Sequence, residues 1–116
     1  MKYFDVVIAY KKLEELSDVK DFHAKEQWAI YKLRQKLKPF IEFFDERSNA
    51  ITDKYRGFAD DNGIISGEPY ENYTKEMQEL KDLETDTEIE KITLPFVDGI
   101  TFIMAESLEK LIEFIE

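Results

Sequence analysis

The chain has no cysteine, one histidine, four glycines and three prolines among its 116 residues. Without cysteine there is no disulfide framework, no thiol nucleophile and no thiolate metal site, which fits a reducing compartment. The lone histidine, His23, excludes multi-histidine metal centres and leaves little for a general base. The scattered glycines, Gly57, Gly63, Gly67 and Gly99, form no phosphate cradle, and neither a Walker pattern nor a Gly-x-Ser-x-Gly elbow is present. No internal repeat is evident. Long apolar runs are missing too. Val6-Val7-Ile8-Ala9 is too short for a signal-peptide core or a membrane span, so a soluble, cytoplasmic protein is expected.

Positive charge is the scarcer sign, with 16 basic residues against 26 acidic and a net charge of −10. That balance disfavours long-range attraction to nucleic acid or to an anionic membrane, and neither is expected as a partner. Carboxylates abound, yet none is paired in an apolar setting that would raise one pKa for acid–base work. No catalytic, cofactor-binding or metal-ligating residue is identified, and the chain reads as a non-enzyme. Asp60-Asp61-Asn62-Gly63 superficially resembles a calcium loop. The first and twelfth ligand positions would then be Phe58 and Pro69, neither of which supplies a carboxylate. A turn with Asn62 and Gly63 at left-handed positions accounts for the same residues.

What the chain has is helical periodicity. Ile30, Leu33, Leu37, Phe40, Ile41, Phe44, Ile51, Tyr55 and Phe58 recur at helical steps apart from the gap after Phe44. One amphipathic helix from about His23 to Phe58 follows, about 50 Å long. A globule of this size has a radius of gyration of only about 13–14 Å, so the helix should overhang its core or be covered by another copy. Pro39 is the local conflict, because a proline inside a helix removes one hydrogen bond and crowds the preceding turn. Strong helix formers on both sides favour a kinked continuous helix over two helices meeting near Lys38. Trp28, Tyr31 and Phe43 fall off the main stripe. Either neighbouring helices cover them, or they form a second contact face for self-association or a protein partner. The run Lys32, Arg34, Lys36 and Lys38 does not share one helical face and reads as a solvated surface.

The flanking segments are shorter. Tyr3 to Leu16 reads as a first helix, although the β-branched Val6-Val7-Ile8 leaves an initial strand open. Asp21 is a plausible N-cap for the long helix, and a loop this short should set the two helices antiparallel. Pro69 suits the first turn of a third helix, whose stripe would be Tyr70, Tyr73, Met77, Leu80 and Leu83. Beyond Glu88 the period shifts, with Ile92, Leu94 and Phe96 alternating and Pro95 suited only to an edge. Asp98-Gly99 then signals a hairpin with Ile100 to Ile103 as the returning strand. Met104, Leu108, Leu111, Ile112 and Ile115 mark a terminal amphipathic helix. The expected fold is mainly α: a long kinked central helix packed with three shorter helices, plus a small β-hairpin near the C-terminus, in a single domain 1–116.

The order of several short motifs resembles a family of small uncharacterised proteins encoded by phages and prophages of Gram-positive bacteria. The motifs are Lys12-Leu13-Glu14-Glu15-Leu16, then Lys36-Leu37-Lys38-Pro39 followed by Phe44 and Glu46-Arg47. Lys54-Tyr55 running into Asp60-Asp61-Asn62-Gly63 comes next, then Glu79-Leu80, Glu88-Ile89 and the closing Leu108-x-x-Leu111-x-x-Phe114-Ile115. Trp28, Phe40 and Phe43 are bulkier than that pattern has, and Lys54-Tyr55-Arg56-Gly57 carries an extra residue before its glycine. The resemblance implies a domain of unknown function in a host-cell cytoplasm and carries over no catalytic residue. The function expected is that of a non-enzymatic accessory protein working through protein–protein contacts, virion assembly being one setting. The alternatives are an acidic decoy or inhibitor of a host protein, or an antitoxin-like partner of a neighbouring gene product.

Overall fold

Helix α1 spans Tyr3–Leu16 in the computed structural model, which describes residues 1–86, 88–97, 100 and 103–115. Val6, Ala9, Leu13 and Leu16 recur at three- and four-residue steps and are buried, so the β-branched start is helical rather than a strand. Helix α2 runs unbroken from Ala24 to Tyr55 with Pro39 inside it, and a 3-10 turn, Arg56–Phe58, extends it. Pro39 and Gln35, the residue whose carbonyl the ring crowds, are both exposed, which leaves this turn of the helix open to water. His23, not Asp21, is the N-cap residue. It holds extended backbone without a capping side-chain hydrogen bond.

Two apolar clusters lie along α2. The larger gathers Ile30, Leu33 and Leu37 with the buried face of α1 and with Leu94, Ile100, Leu108, Leu111 and Ile112 from the C-terminal segment. The smaller joins Phe44, Ile51 and Tyr55 to Leu80 of α3, the helix Gly67–Asp82. Both neighbours run antiparallel to α2. Tyr3 meets Phe40 at 5.7 Å while Arg34 lies over the Tyr10 ring at 5.6 Å. Likewise Tyr73 meets Tyr55 at 5.9 Å while Leu80 reaches Phe44. A backbone bridge between Lys2 and Glu84 ties the start of α1 to the end of α3, with Tyr3 N–H donating to the Leu83 carbonyl at 2.8 Å.

The stripes expected on α2 and α3 overreach at their ends. Phe58, Tyr70 and Leu83 are exposed, because the outer cluster stops at Tyr55 on α2 and at Leu80 on α3. Between the helices, Asp60 Oδ1 accepts from the backbone N–H groups of Asn62 and Ile64. Gly63 takes a positive φ, 78°, and Asn62 does not, so of that pair only the glycine is left-handed.

The C-terminal segment departs from the expected hairpin. Strand β1, Ile92–Pro95, pairs with β2, Ile112–Ile115, and the pairing is parallel, with Ile92 opposite Ile112 and Pro95 opposite Ile115. Ile103 N–H donates to the Ile100 carbonyl at 2.9 Å, so both belong to a turn, not to a returning strand. Asp98 and Gly99, the expected hairpin turn, lie outside the described residues. The expected terminal helix shrinks to α4, Glu106–Glu109. Ile112-Glu113-Phe114 fits a strand as well as a helix, and β-branched and aromatic residues favour the strand once β1 offers a partner. Residues 96–111 give the length that a crossover between parallel strands needs.

The molecule measures 53 × 30 × 19 Å with a radius of gyration of 17.6 Å. A compact chain of this length would have about 13–14 Å. α2 sets the long axis, since 32 residues at a rise of about 1.5 Å span about 48 Å. Among the described residues, no helix is long and apolar enough to cross a membrane.

Candidate functional site

Trp28 and Tyr31 are 58% and 48% exposed on the first turns of α2. Three residues apart on a helix, they are neighbours, and their rings stack at 5.6 Å with an interplanar angle of 17°. Lys32 Nζ lies 5.8 Å from the Trp28 ring centre, close enough for a cation–π contact. Behind the pair, a wedge of about 420 Å³ opens between α2 and the end of α1, lined by Ser17, Gln27 and Arg34. Gln27 Nε2 donates to the Val19 carbonyl at 3.3 Å, tying the loop to α2, and Arg34 faces Glu14 of α1 at 3.9 Å. Two rigid aromatics on a regular helix present much apolar area with few rotors to freeze.

Phe43 does not join them. It is 40% exposed and leans on Tyr3 at 5.3 Å, which in turn contacts Phe40. Trp28 and Phe43 are separated by about 22 Å along the axis. Of the sequence-derived trio, the structure brings Trp28 and Tyr31 together and places Phe43 in the α1–α2 seam. A surface that periodicity missed runs along the outer side of α3, where a shallow groove of about 860 Å³ stretches from Tyr70 to Leu83 past Glu71, Lys75, Glu79 and Asp82. The only hint of it in the sequence was the stripe's excess length, Tyr70 and Leu83 lying beyond what one core can cover.

The electrostatics divide along the same lines. From Ala24 to Lys38, α2 carries five basic residues against Glu26, a net of +4 in a chain whose total is −10. Lys25, Lys32, Lys36 and Lys38 are all exposed along this half of α2, Lys32 beside the Trp28 ring and Lys36 further along, beside Phe40 and Glu90. α3 carries five acids against Lys75 and Lys81. Where α2 and α3 meet, Lys54 Nζ donates to Glu76 Oε1 at 2.7 Å. That hydrogen bond holds the Glu76 carboxyl below its ordinary range, with the Tyr55 hydroxyl adding to the effect, and raises Lys54. Asp82 is likewise lowered, by Gln78 first and then by Lys2. The Lys54–Glu76 and Lys2–Asp82 pairs tie neighbouring elements together, and Gln78 and Asp82 also line the groove along α3.

Among the described residues, no cluster of three or more histidines, cysteines or carboxylates could hold a metal ion. His23 is exposed at the head of α2. Compared with family models, with curated proteins and with solved structures, the chain matches none.

Proposed function

We propose that the chain is a non-enzymatic accessory protein that acts through protein–protein contacts, with the Trp28–Tyr31 pair as the principal anchor. The observation that carries this reading is the stack itself, two large aromatics held parallel and left in solvent on a regular helix. Interfaces concentrate their binding energy in such residues, and trimming a central one typically costs more than about 2 kcal/mol of affinity. The flanking lysines give the anchor a polar rim and a charge preference. The motif resemblance supports a phage or prophage origin, with virion assembly as one setting for such contacts. Identifying the genes on either side of the coding sequence tests that origin: head and tail genes support it, and a housekeeping operon argues against it.

The contact itself is tested by placing a photo-reactive amino acid at position 28 and irradiating cells that carry the protein at its native level. A covalent adduct to a defined polypeptide is the expected result. No adduct at position 28, with adducts equally absent at 31, removes the aromatic pair as an anchor. A second reading, an acidic decoy that engages a basic host protein, is favoured by the acid-rich outer side of α3. Adducts forming from Glu79 rather than from position 28, and vanishing in high salt, distinguish it.

A further inference from the structure

We propose that the basic, aromatic first half of α2 docks on the acidic outer groove of α3 in a second copy of this chain, building head-to-tail chains. The inference rests on the contact reading above and names the partner. Both surfaces belong to one polypeptide, and both stay uncovered within one copy: Trp28 and Tyr31 on one side, Tyr70 and Leu83 on the other. They match in length, since Lys25–Lys38 and Tyr70–Leu83 each span about 20 Å of helix. They match in composition as well. Lys25 and Lys32 flank the exposed aromatics on α2, while Glu71, Glu79 and Asp82 outnumber Lys75 along the α3 groove between Tyr70 and Leu83.

Because the two surfaces differ, the contact is heterologous, and a docked copy still offers one free surface of each kind. Association of that sort runs on into rings or open chains instead of closing at a dimer. Two helices touching over about 20 Å bury less than the roughly 1,000 Å² that a stable specific interface clears, so the contact is weak and reversible. Lysines facing carboxylates at the rim make it sensitive to salt.

Two variants decide the matter, each altering exposed side chains only: Trp28→Ala with Tyr31→Ala, and Glu71→Lys with Glu79→Lys. Circular dichroism melts confirm that both fold like the parent. In sedimentation velocity at low salt, the parent's average mass should climb past two copies as concentration rises, and fall back as salt is added. Each variant alone should associate at least tenfold more weakly. Mixed in equal amounts, the two variants should form a complex of one copy of each and stop there, because each keeps the surface the other lacks. A mixture that stays monomeric overturns the proposal, as does a parent that saturates at a dimer or shows no association up to millimolar concentration. An adduct from position 28 to a different polypeptide, alongside a monomeric parent, overturns the second-copy contact while leaving the anchor role intact. Absence of any adduct alongside a monomeric parent removes both.

Discussion

Replacing Leu37 with alanine should lower the thermal midpoint by about 12 °C, a value that follows from where this side chain sits. Leu37 is fully buried in the cluster that joins α2 to α1 and to the C-terminal segment. Truncation removes the transfer energy of its methyl groups and leaves a cavity that surrounding helices only partly close, about 3 kcal/mol at the lower end of the usual range for such sites. A chain of 116 residues has a total stability of about 6–17 kcal/mol, so the loss is a large fraction. Unfolding entropy of about 2.1 cal/mol/K per residue makes each kcal/mol worth about 4 °C. Far-ultraviolet circular dichroism on heating, repeated in urea, reads the change directly. Exposed Glu42, on the same helix, sets the baseline: Glu42→Gln should shift stability by less than about 0.5 kcal/mol. A Leu37→Ala midpoint within about 2 °C of the parent would show that the core does not close around this position.

Other perturbations separate the parts of the fold. Phe44→Ala should cost about 3 kcal/mol and loosen α3 first, seen as faster amide hydrogen exchange in Gly67–Asp82 than in α1. Pro39→Ala should stabilise by about 1–2 kcal/mol, since the regained hydrogen bond and relieved crowding outweigh the extra freedom of the unfolded chain; a loss in urea titration would contradict this. Glu76 is lowered in the folded state, so its stabilising effect is present above the unfolded carboxyl value of about 4.3 and is lost as pH falls through the folded value. Lys54 is raised, and its share is lost on the alkaline side as pH climbs through the folded value. Glu76→Gln should therefore flatten the acid limb of the stability–pH curve, and an unchanged limb would assign the acid sensitivity to other carboxylates.

The helical frame could be read from spacing because each helix buries one stripe against one neighbour. α1 has the bounds its apolar steps imply, α2 stops one turn short of the expected Phe58 where a 3-10 turn takes over, and Pro39 was absorbed because its side of the helix is exposed. Stripe ends were harder: Tyr70 and Leu83 continue the three-and-four rhythm of α3 beyond the reach of the core, and rhythm alone does not show where cover stops. The C-terminal pairing was out of reach for a different reason. Ile112-Glu113-Phe114-Ile115 satisfies both periods over four residues, and only the presence of β1 alongside decides for a strand. Within the proposed contact surface, Trp28 and Tyr31 were identifiable as off-stripe aromatics. Their stacking, and the separation of Phe43 into the seam with Tyr3, depend on where α1 lies.

Everything proposed for the surface depends on α2 continuing through Pro39, which carries the anchor away from α3. Because the chain has no cysteine, Ala24→Cys and Asp53→Cys give two unique sites for spin labels at exposed ends of that helix. Pulsed dipolar spectroscopy should return one distance distribution centred near 44 Å, from 29 residues at about 1.5 Å each. A distribution split in two, or centred well below that value, would show α2 broken at its middle.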